Sequence, residues 1–245
     1  TYHVHISSTY RPSDRSPVIV NYDGIDGGGI KMEGYSNVDS LPVIAVYPDS
    51  LMGTRGFTAW QGAPYSLEGD YHVQFTKDMT TEVNQRYCVD SSKVFAIGMS
   101  NGGGFAVIAN CKLPGMFRAI ASLSGAYYTG CTGSETPSGS LLALHSATDP
   151  QVPFLGSSTK GVPAVTGWAT KQAKDRQCRI TKHTPSIKGT EQYEWTGCKD
   201  DVSVRLVVIQ EQPHGWLAIS NAQGVEASNT AGYIWSFFKG SMSAK

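Results

Sequence analysis

Charge is scarce in this 245-residue chain: charged residues make up 16% of it, and 20 basic side chains balance 20 acidic ones. A chain without net charge is poorly suited to neutralising phosphates, so we expect no nucleic acid partner. No apolar run approaches the roughly 20 residues that a membrane-spanning helix needs, so we expect no membrane partner either. Hydrophobic residues reach 40%, which is enough for a core, and the length suits one domain over residues 1–245.

Cysteine occurs at five positions, but no pair has the C-x-x-C spacing of zinc or thioredoxin-type sites, so we expect no metal. Low charge with abundant Gly, Ser, Thr and Tyr is typical of secreted enzymes, in which cysteines pair. Cys111 with Cys131 and Cys178 with Cys198 are candidate local bridges, which leave Cys88 alone. The connectivity stays open, since free buried thiols are the alternative.

Short apolar runs alternate with helical patterns along the chain. The predicted strands cover residues 2–6, 18–21, 43–47, 93–97, 119–123, 141–145 and 202–209, and the predicted helices cover 75–87, 102–111, 165–173 and 230–238. Continuous apolar runs of this length indicate strands that are buried on both faces. The alternation therefore predicts an α/β fold with a mostly parallel central sheet and helices on both faces.

One motif carries a specific chemistry: residues 98–102 read Gly-Met-Ser-Asn-Gly and fit G-x-S-x-G. They follow a predicted strand and precede a predicted helix, as a nucleophile elbow requires. The tight turn needs small neighbours, which Gly98 and Gly102 supply, and it exposes the hydroxyl near a helix N-terminus. The pattern predicts Ser100 as a nucleophile; a glycine-rich turn that only packs helix on strand is the alternative.

A serine nucleophile needs a base, and in such folds the partners follow in the order Ser, acid, His. His214 lies in a loop just after the predicted strand 202–209, where the base belongs. His183 lies in a polar stretch typical of a solvated surface. His145 ends a strand, which favours a structural role. We therefore predict His214 as the base.

The acid is expected between Ser100 and His214 in the chain. Asp149 follows the predicted strand 141–145 by one short loop, where a carboxylate can accept from the imidazole N–H. The rivals are less well placed: Asp175 lies in a charged helical stretch, and residues 200–201 precede a strand. An Asp-Pro turn cap is the alternative role for Asp149.

An oxyanion hole requires two backbone N–H groups. The first candidate is Asn101, which follows the nucleophile. The second is expected from the glycine-rich loop 23–29, with Ile25 as the candidate and Gly24 next. A surface turn is the alternative for this loop.

Aromatic side chains near these motifs are candidates for binding a flat ring. Trp60, Tyr127 and Trp216 each follow a predicted strand or the base, where loops gather above parallel strand ends. Ordinary core or rim packing is the alternative for each.

Several segments together resemble the secreted fungal feruloyl esterases of carbohydrate-esterase type 1, which are related to polyhydroxybutyrate depolymerases. The segments are WQGAPY at 60–65, RYCVD at 86–90, SNGGGF at 100–105, LSGA at 123–126, HSATDPQVP at 145–153 and GWA at 167–169, followed by Cys178. The resemblance implies an α/β-hydrolase fold, a triad of Ser100, Asp149 and His214, and a role for Gln61 in hydrogen bonding the substrate. It also implies secretion and hydrolysis of hydroxycinnamoyl esters, either on plant cell-wall polysaccharide or as small phenolic esters, without metal or cofactor. Neutral charge and the lack of heptads favour a monomer.

Two segments depart from the family pattern. Asp23 stands where the family has histidine in the oxyanion loop, and His145-Ser146-Ala147-Thr148-Asp149 replaces His-Gly-Thr-x-Asp. A carboxylate beside an oxyanion hole repels the developing charge unless it is paired or turned away. The alternatives are therefore an acetylxylan esterase, a polyhydroxyalkanoate depolymerase or a general carboxylesterase with the same triad, or a catalytically dead carbohydrate-binding homologue.

Overall fold

The computed structural model describes residues 1–131, 135–187, 189–219 and 229–242. The strands are β1 Tyr2–Ile6, β2 Ser16–Tyr22, β3 Ile44–Pro48, β4 Leu51–Met52, β5 Thr58–Ala59, β6 Val89–Met99, β7 Ala119–Leu123, β8 Ser140–Ser146, β9 Ile180–Ile187, β10 Thr190–Thr196 and β11 Val204–Ile209. The helices are α1 Gly29–Ser36, α2 Tyr71–Arg86, α3 Asn101–Lys112, α4 Val165–Asp175 and α5 Thr230–Met242.

Nine of the described strands form one sheet in the order β1-β3-β2-β6-β7-β8-β11-β10-β9. The six central strands, from β3 to β11, pair in parallel. The edge pairs β1–β3, β11–β10 and β10–β9 are antiparallel. The mostly parallel sheet confirms the predicted fold class, and it brings the carboxyl ends of the central strands to one edge.

Both faces of the sheet are buried, as the continuous apolar strands predict. Val18, Val20 and Tyr22 of β2 belong to the core that packs against α2, α3 and α4. Ile19, which points the other way, belongs to the core that packs against α1 and α5. Side chains alternate across a strand with a period of two, so one strand serves both cores.

Three features of the fold were not predicted. Helix α1 contains two glycines and leaves Ile30 77% exposed, so its sequence favours a helix only weakly; buried Met32 anchors it. The hairpin of β9 and β10 is rich in polar residues, and cross-strand pairing at the sheet edge stabilises it. The small hairpin of β4 and β5 is two residues long on each side.

Two disulfides join Cys111 to Cys131 and Cys178 to Cys198, and Cys88 is a free, partly buried thiol. This is the pairing that the spacing favoured. Within the described ranges, no helix has the length and apolar character to cross a membrane.

Candidate active site

Ser100 lies in the turn between β6 and α3 with φ 57° and ψ −119°. This backbone conformation is strained for any residue other than glycine. The residues two positions before and after Ser100 must be glycine for steric reasons. A Cβ at Gly98 would lie 2.1 Å from the carbonyl oxygen of Gly102. A Cβ at Gly102 would lie 2.2 Å from the carbonyl oxygen of Asp23. The two glycines therefore supply the clearance that the motif predicts.

His214 lies between Ser100 and Asp149. Its Nε2 is 2.8 Å from Ser100 Oγ, and its Nδ1 is 2.7 Å from Asp149 Oδ2. Because a carboxylate only accepts, Nδ1 carries the proton and Nε2 is left to accept from the serine hydroxyl. The three side chains predicted from separate parts of the chain thus form one hydrogen-bonded line.

Asp149 is held by more than the imidazole. Its Oδ1 accepts from the backbone N–H groups of Gln151 at 2.8 Å and Val152 at 2.9 Å. Burial raises the pKa of Asp149, but the hydrogen bonds from His214 and the two backbone groups outweigh it and leave the pKa below its usual value. The carboxylate is therefore ionised at neutral pH and can stabilise a protonated imidazole.

The two rival histidines have other partners. His145 is fully buried, and its Nε2 donates to the carbonyl oxygen of Val152 at 2.8 Å. Burial lowers the pKa of His145, so the ring is neutral and supports the turn that carries Asp149. His183 lies on β9, where its Nε2 is 2.6 Å from Glu191 Oε1.

Two serines form hydrogen bonds with the backbone of the loop that carries His214. Ser146 Oγ donates to the carbonyl oxygen of Gln212 at 2.6 Å and accepts from its N–H at 3.2 Å. Ser124 Oγ donates to the carbonyl oxygen of Gly215 at 3.0 Å. Sequence reasoning missed both contacts; the one signal was the departure at Ser146, which replaces glycine with a side chain that reaches this loop.

Asp23, the other departure, is buried and paired. Its Oδ1 accepts from Trp60 Nε1 at 2.6 Å, and its Oδ2 accepts from the N–H of Gly28. Burial raises the pKa of Asp23 to about 6, although both hydrogen bonds favour the charged form. Both oxygens are therefore engaged in shaping loop 23–29.

The candidate oxyanion donors are the N–H groups of Asn101, which follows Ser100, and of the loop 23–29. A Cβ at Gly24 would lie 3.5 Å from Ser100 Cβ, so this part of the loop packs against Ser100. The N–H of Asp26 donates to a carbonyl of β5 at 3.0 Å. In the described part of the chain, by contrast, the N–H groups of Gly24, Ile25 and Asn101 donate to no other group. Free N–H groups beside a nucleophile suit a developing negative charge.

For Trp60 the structure corrects the predicted role in stacking on a substrate, because the side chain is fully buried. Its indole stacks on Phe105 with ring centroids 5.0 Å apart. Its backbone N–H donates to Asn101 Oδ1 at 2.6 Å, and its carbonyl oxygen accepts from Asn101 Nδ2 at 3.1 Å. Trp60 therefore links Asp23 to the residue that follows the nucleophile.

The structure also corrects the predicted role of Tyr127 in binding a substrate ring, because this residue is only 3% exposed. Its ring stacks on Trp168 with centroids 3.5 Å apart, and its hydroxyl is 2.9 Å from Ser122 Oγ. Sequence position placed it above a strand end, but only packing decides which way a ring points.

Trp216 and Gln61 remain candidates for substrate binding. Trp216 is partly exposed and meets the ring of Tyr35, itself 42% exposed, at a centroid distance of 6.1 Å. Gln61 is 8% exposed, and its Nε2 donates to Asp70 Oδ1 at 2.9 Å.

Comparison with known proteins places this chain in a family. The Esterase family, described as "Putative esterase", matches residues 1–232. A probable feruloyl esterase C from Aspergillus clavatus is 28% identical over 220 residues, which cover 88% of this chain and 75% of the relative. Feruloyl esterase C from Emericella nidulans is 26% identical over 242 residues, which cover 97% of this chain and 83% of the relative.

Solved structures of esterases share the fold. A carboxylesterase from Bacillus cereus superimposes with a TM-score of 0.62 at 10% identity, covering 98% of this chain and 93% of the other. An acetyl xylan esterase from Aspergillus awamori gives 0.58 at 14% identity, covering 87% and 88%. At such low identity the likeness concerns the fold alone, which is the α/β-hydrolase fold.

Proposed function

The chain belongs to the Esterase family and is a carboxylic ester hydrolase, and from that premise we propose that it is a feruloyl esterase with Ser100 as nucleophile. It releases hydroxycinnamic acids from plant cell-wall polysaccharide such as arabinoxylan. The observation that carries the proposal is the hydrogen-bonded line from Ser100 through His214 to Asp149. The N–H groups of Ile25 and Asn101, which donate to no group among the described residues, support it.

In the acylation step, Ser100 Oγ attacks the ester carbonyl while His214 Nε2 takes the hydroxyl proton. Asp149 stabilises the imidazolium that forms. The N–H groups of Asn101 and Ile25, with Gly24 as the neighbouring donor, hold the tetrahedral oxyanion. The imidazolium then protonates the leaving sugar alkoxide, and the acyl group stays on Ser100.

In the deacylation step, water takes the place of the leaving sugar. His214 Nε2 removes a proton from the water as it attacks the acyl-enzyme, and the same oxyanion donors hold the second tetrahedral intermediate. Collapse of this intermediate returns the proton to Ser100 and releases the free acid. The unprotonated Nε2 and the ionised Asp149 suit this cycle.

The substrate class is supported by the relatives, several of which carry the name feruloyl esterase. Trp216, partly exposed beside the base, is the candidate contact for the phenolic ring of the acyl group. We further propose a secreted monomer with one catalytic domain over residues 1–245. The two disulfides and the family match over residues 1–232 support secretion and the single domain, respectively.

The proposal is tested by hydrolysis of methyl ferulate, methyl caffeate, p-nitrophenyl acetate and a longer acyl ester. We expect preference for the two hydroxycinnamates and a loss of about 10⁶ in kcat for Ser100→Ala, because the nucleophile is removed. A serine-reactive phosphonate should label the wild type at Ser100 and leave the variant unlabelled. Turnover of acetate alone refutes the feruloyl assignment, and equal activity in Ser100→Ala refutes the nucleophile.

A further inference from the structure

A groove of about 620 Å³ opens between three loops of the described structure. One wall comes from the segment between β3 and α2, another from the loop after β7, and the third from the loop after β8. These loops follow parallel strands whose carboxyl ends meet at the sheet edge that carries Ser100. We call this feature the loop groove; its volume lies within the roughly 300–1,000 Å³ of small-molecule sites.

The loop groove is tied to the triad on two sides. The N–H of Ala126 donates to the carbonyl oxygen of Ser100 at 2.9 Å, and Tyr128 of the groove wall follows two residues later. On the other side, Lys160 Nζ donates to the carbonyl oxygens of Pro150 at 2.8 Å and Gln151 at 2.9 Å, directly after Asp149. The same loops therefore form both the triad surroundings and the groove walls.

The lining of the loop groove combines apolar surface with hydrogen-bonding side chains and one aromatic ring. Its polar side chains include Gln61, Ser66, Glu68, Thr129 and Lys160. The ring of Tyr128 is held at 84° to that of Tyr65, with centroids 5.8 Å apart. A flat ring among short hydrogen-bonding groups suits a sugar, whose C–H face stacks on the ring while its hydroxyls bond to the neighbours.

An aromatic acyl group has a different candidate surface. The rings of Trp216 and Tyr35 meet at a centroid distance of 6.1 Å, and Trp216 follows His214 by two residues. The loop groove adds the side chains of Glu68, Thr129 and Lys160 to its apolar surface, and this mixture suits the C–H faces and hydroxyls of a sugar.

We propose that the loop groove is the subsite for the polysaccharide portion of the substrate, and that it binds a neutral oligosaccharide next to the sugar that carries the ester. This inference rests on the proposed function for its place in catalysis. Lys160 of its wall bonds to the carbonyl oxygens directly after Asp149, and Tyr128 of its wall follows by two residues the Ala126 N–H that bonds to Ser100. The groove therefore lies on the loops that surround the proposed triad.

The test compares a feruloylated arabinoxylo-oligosaccharide with methyl ferulate, which lacks the sugar chain. In Glu68→Ala and Tyr128→Ala we expect KM for the oligosaccharide ester to rise about tenfold relative to KM for methyl ferulate, as the loss of about 1.4 kcal/mol of sugar contact predicts. Tyr128→Phe keeps the ring and should keep most of the oligosaccharide affinity. Glu82→Ala, which removes a partly exposed carboxylate paired with Arg86 on α2, is the matched control.

Tyr128 also packs against Ala126, Val152 and Val162, so its truncation can disturb the loops around the triad. Glu68 is exposed, and its removal leaves that packing intact, so Glu68→Ala separates the two effects. Calorimetric titration of the full chain with xylohexaose measures sugar binding without the ester chemistry. We expect wild type to bind xylohexaose and Glu68→Ala to bind it more weakly.

Each outcome decides the inference. Absence of xylohexaose binding, with an unchanged ratio of the two KM values, overturns the subsite while hydrolysis of methyl ferulate leaves the proposed function standing. An equal rise of both KM values also overturns it, because the groove would then serve the acyl group or the triad. Xylohexaose binding that Glu68→Ala weakens, in a protein that does not hydrolyse methyl ferulate, supports the groove and refutes the feruloyl assignment.

Discussion

Trp60 Nε1 donates to Asp23 Oδ1 at 2.6 Å, and this contact explains how a carboxylate is accommodated in the candidate oxyanion loop. The second oxygen of Asp23 accepts from the N–H of Gly28, so each carboxylate oxygen has a hydrogen-bond donor. Trp60 is in turn bound through its backbone to the side chain of Asn101. One buried carboxylate therefore joins the two segments that supply the proposed oxyanion donors.

We predict that Asp23→Asn lowers kcat by about 10²-fold, the effect of misplacing one oxyanion donor, with a smaller change in KM. Asparagine has one acceptor oxygen, so its amide nitrogen would face an N–H donor of Trp60 or Gly28 and the loop would move. Trp60→Phe keeps an aromatic ring and removes the indole donor, so it should lower kcat in the same direction. Steady-state kinetics on methyl ferulate measure both variants; kcat values equal to wild type would show that this contact does not position the loop.

We predict that the titration of Asp23 makes the free energy of unfolding depend on pH. Burial raises its pKa from 3.8 to about 6, so between these pH values the folded protein binds more protons than the unfolded chain. The contribution of Asp23 to the free energy of unfolding is fully present below pH 4 and is lost as the pH rises through 6. It amounts to about 3 kcal/mol, because the pKa differs by about two units between the folded and unfolded states.

The measurement is urea unfolding of wild type and Asp23→Asn at pH 4.5 and pH 7. Asparagine does not titrate, so the stability advantage of wild type over the variant should be larger at the lower pH. A difference between the two proteins that is independent of pH would contradict the raised pKa.

We predict that Ser146→Ala lowers kcat about 3- to 10-fold and destabilises the fold by about 1–3 kcal/mol. The variant removes the hydroxyl that both donates to and accepts from the backbone of Gln212, and it leaves those partly buried groups without this partner. His214, two residues further on, then loses part of its support. Ser124→Ala, which frees Gly215, is the companion variant; if both keep wild-type kcat, the serines only stabilise the fold.

Trp216→Ala tests the proposed contact with the phenolic ring. We expect KM for methyl ferulate to rise about 3- to 10-fold, in line with about 0.5–1.5 kcal/mol for an aromatic pair. KM for p-nitrophenyl acetate, with its small acyl group, should change less. Tyr35→Ala removes the ring that supports Trp216 and should give a weaker version of the same pattern. Equal effects on both esters would assign Trp216 to packing rather than to acyl recognition.

The local sequence pattern was sufficient to predict the central strands of the sheet and the turn that carries Ser100. Continuous apolar runs predicted the strands, because a strand buried on both faces has no polar face to offer. The glycines at 98 and 102 marked the turn, since any Cβ there would collide with backbone. The order of Ser100, Asp149 and His214, each after a strand, was enough to bring them together, because parallel strands end at one edge of the sheet.

Tertiary packing decided what local pattern could not. Trp60 and Tyr127 follow strand ends as Trp216 follows the base, yet the first two are buried and the third is partly exposed, because neighbouring helices cover them. From the sequence, the carboxylate of Asp23 is expected to repel the oxyanion, but in the structure an indole from another loop donates a hydrogen bond to it. By itself the sequence determined the fold class and predicted the triad, since both depend on chain-local periodicity and order. Only the tertiary structure decided how the side chains around the triad are oriented, since their partners come from distant segments.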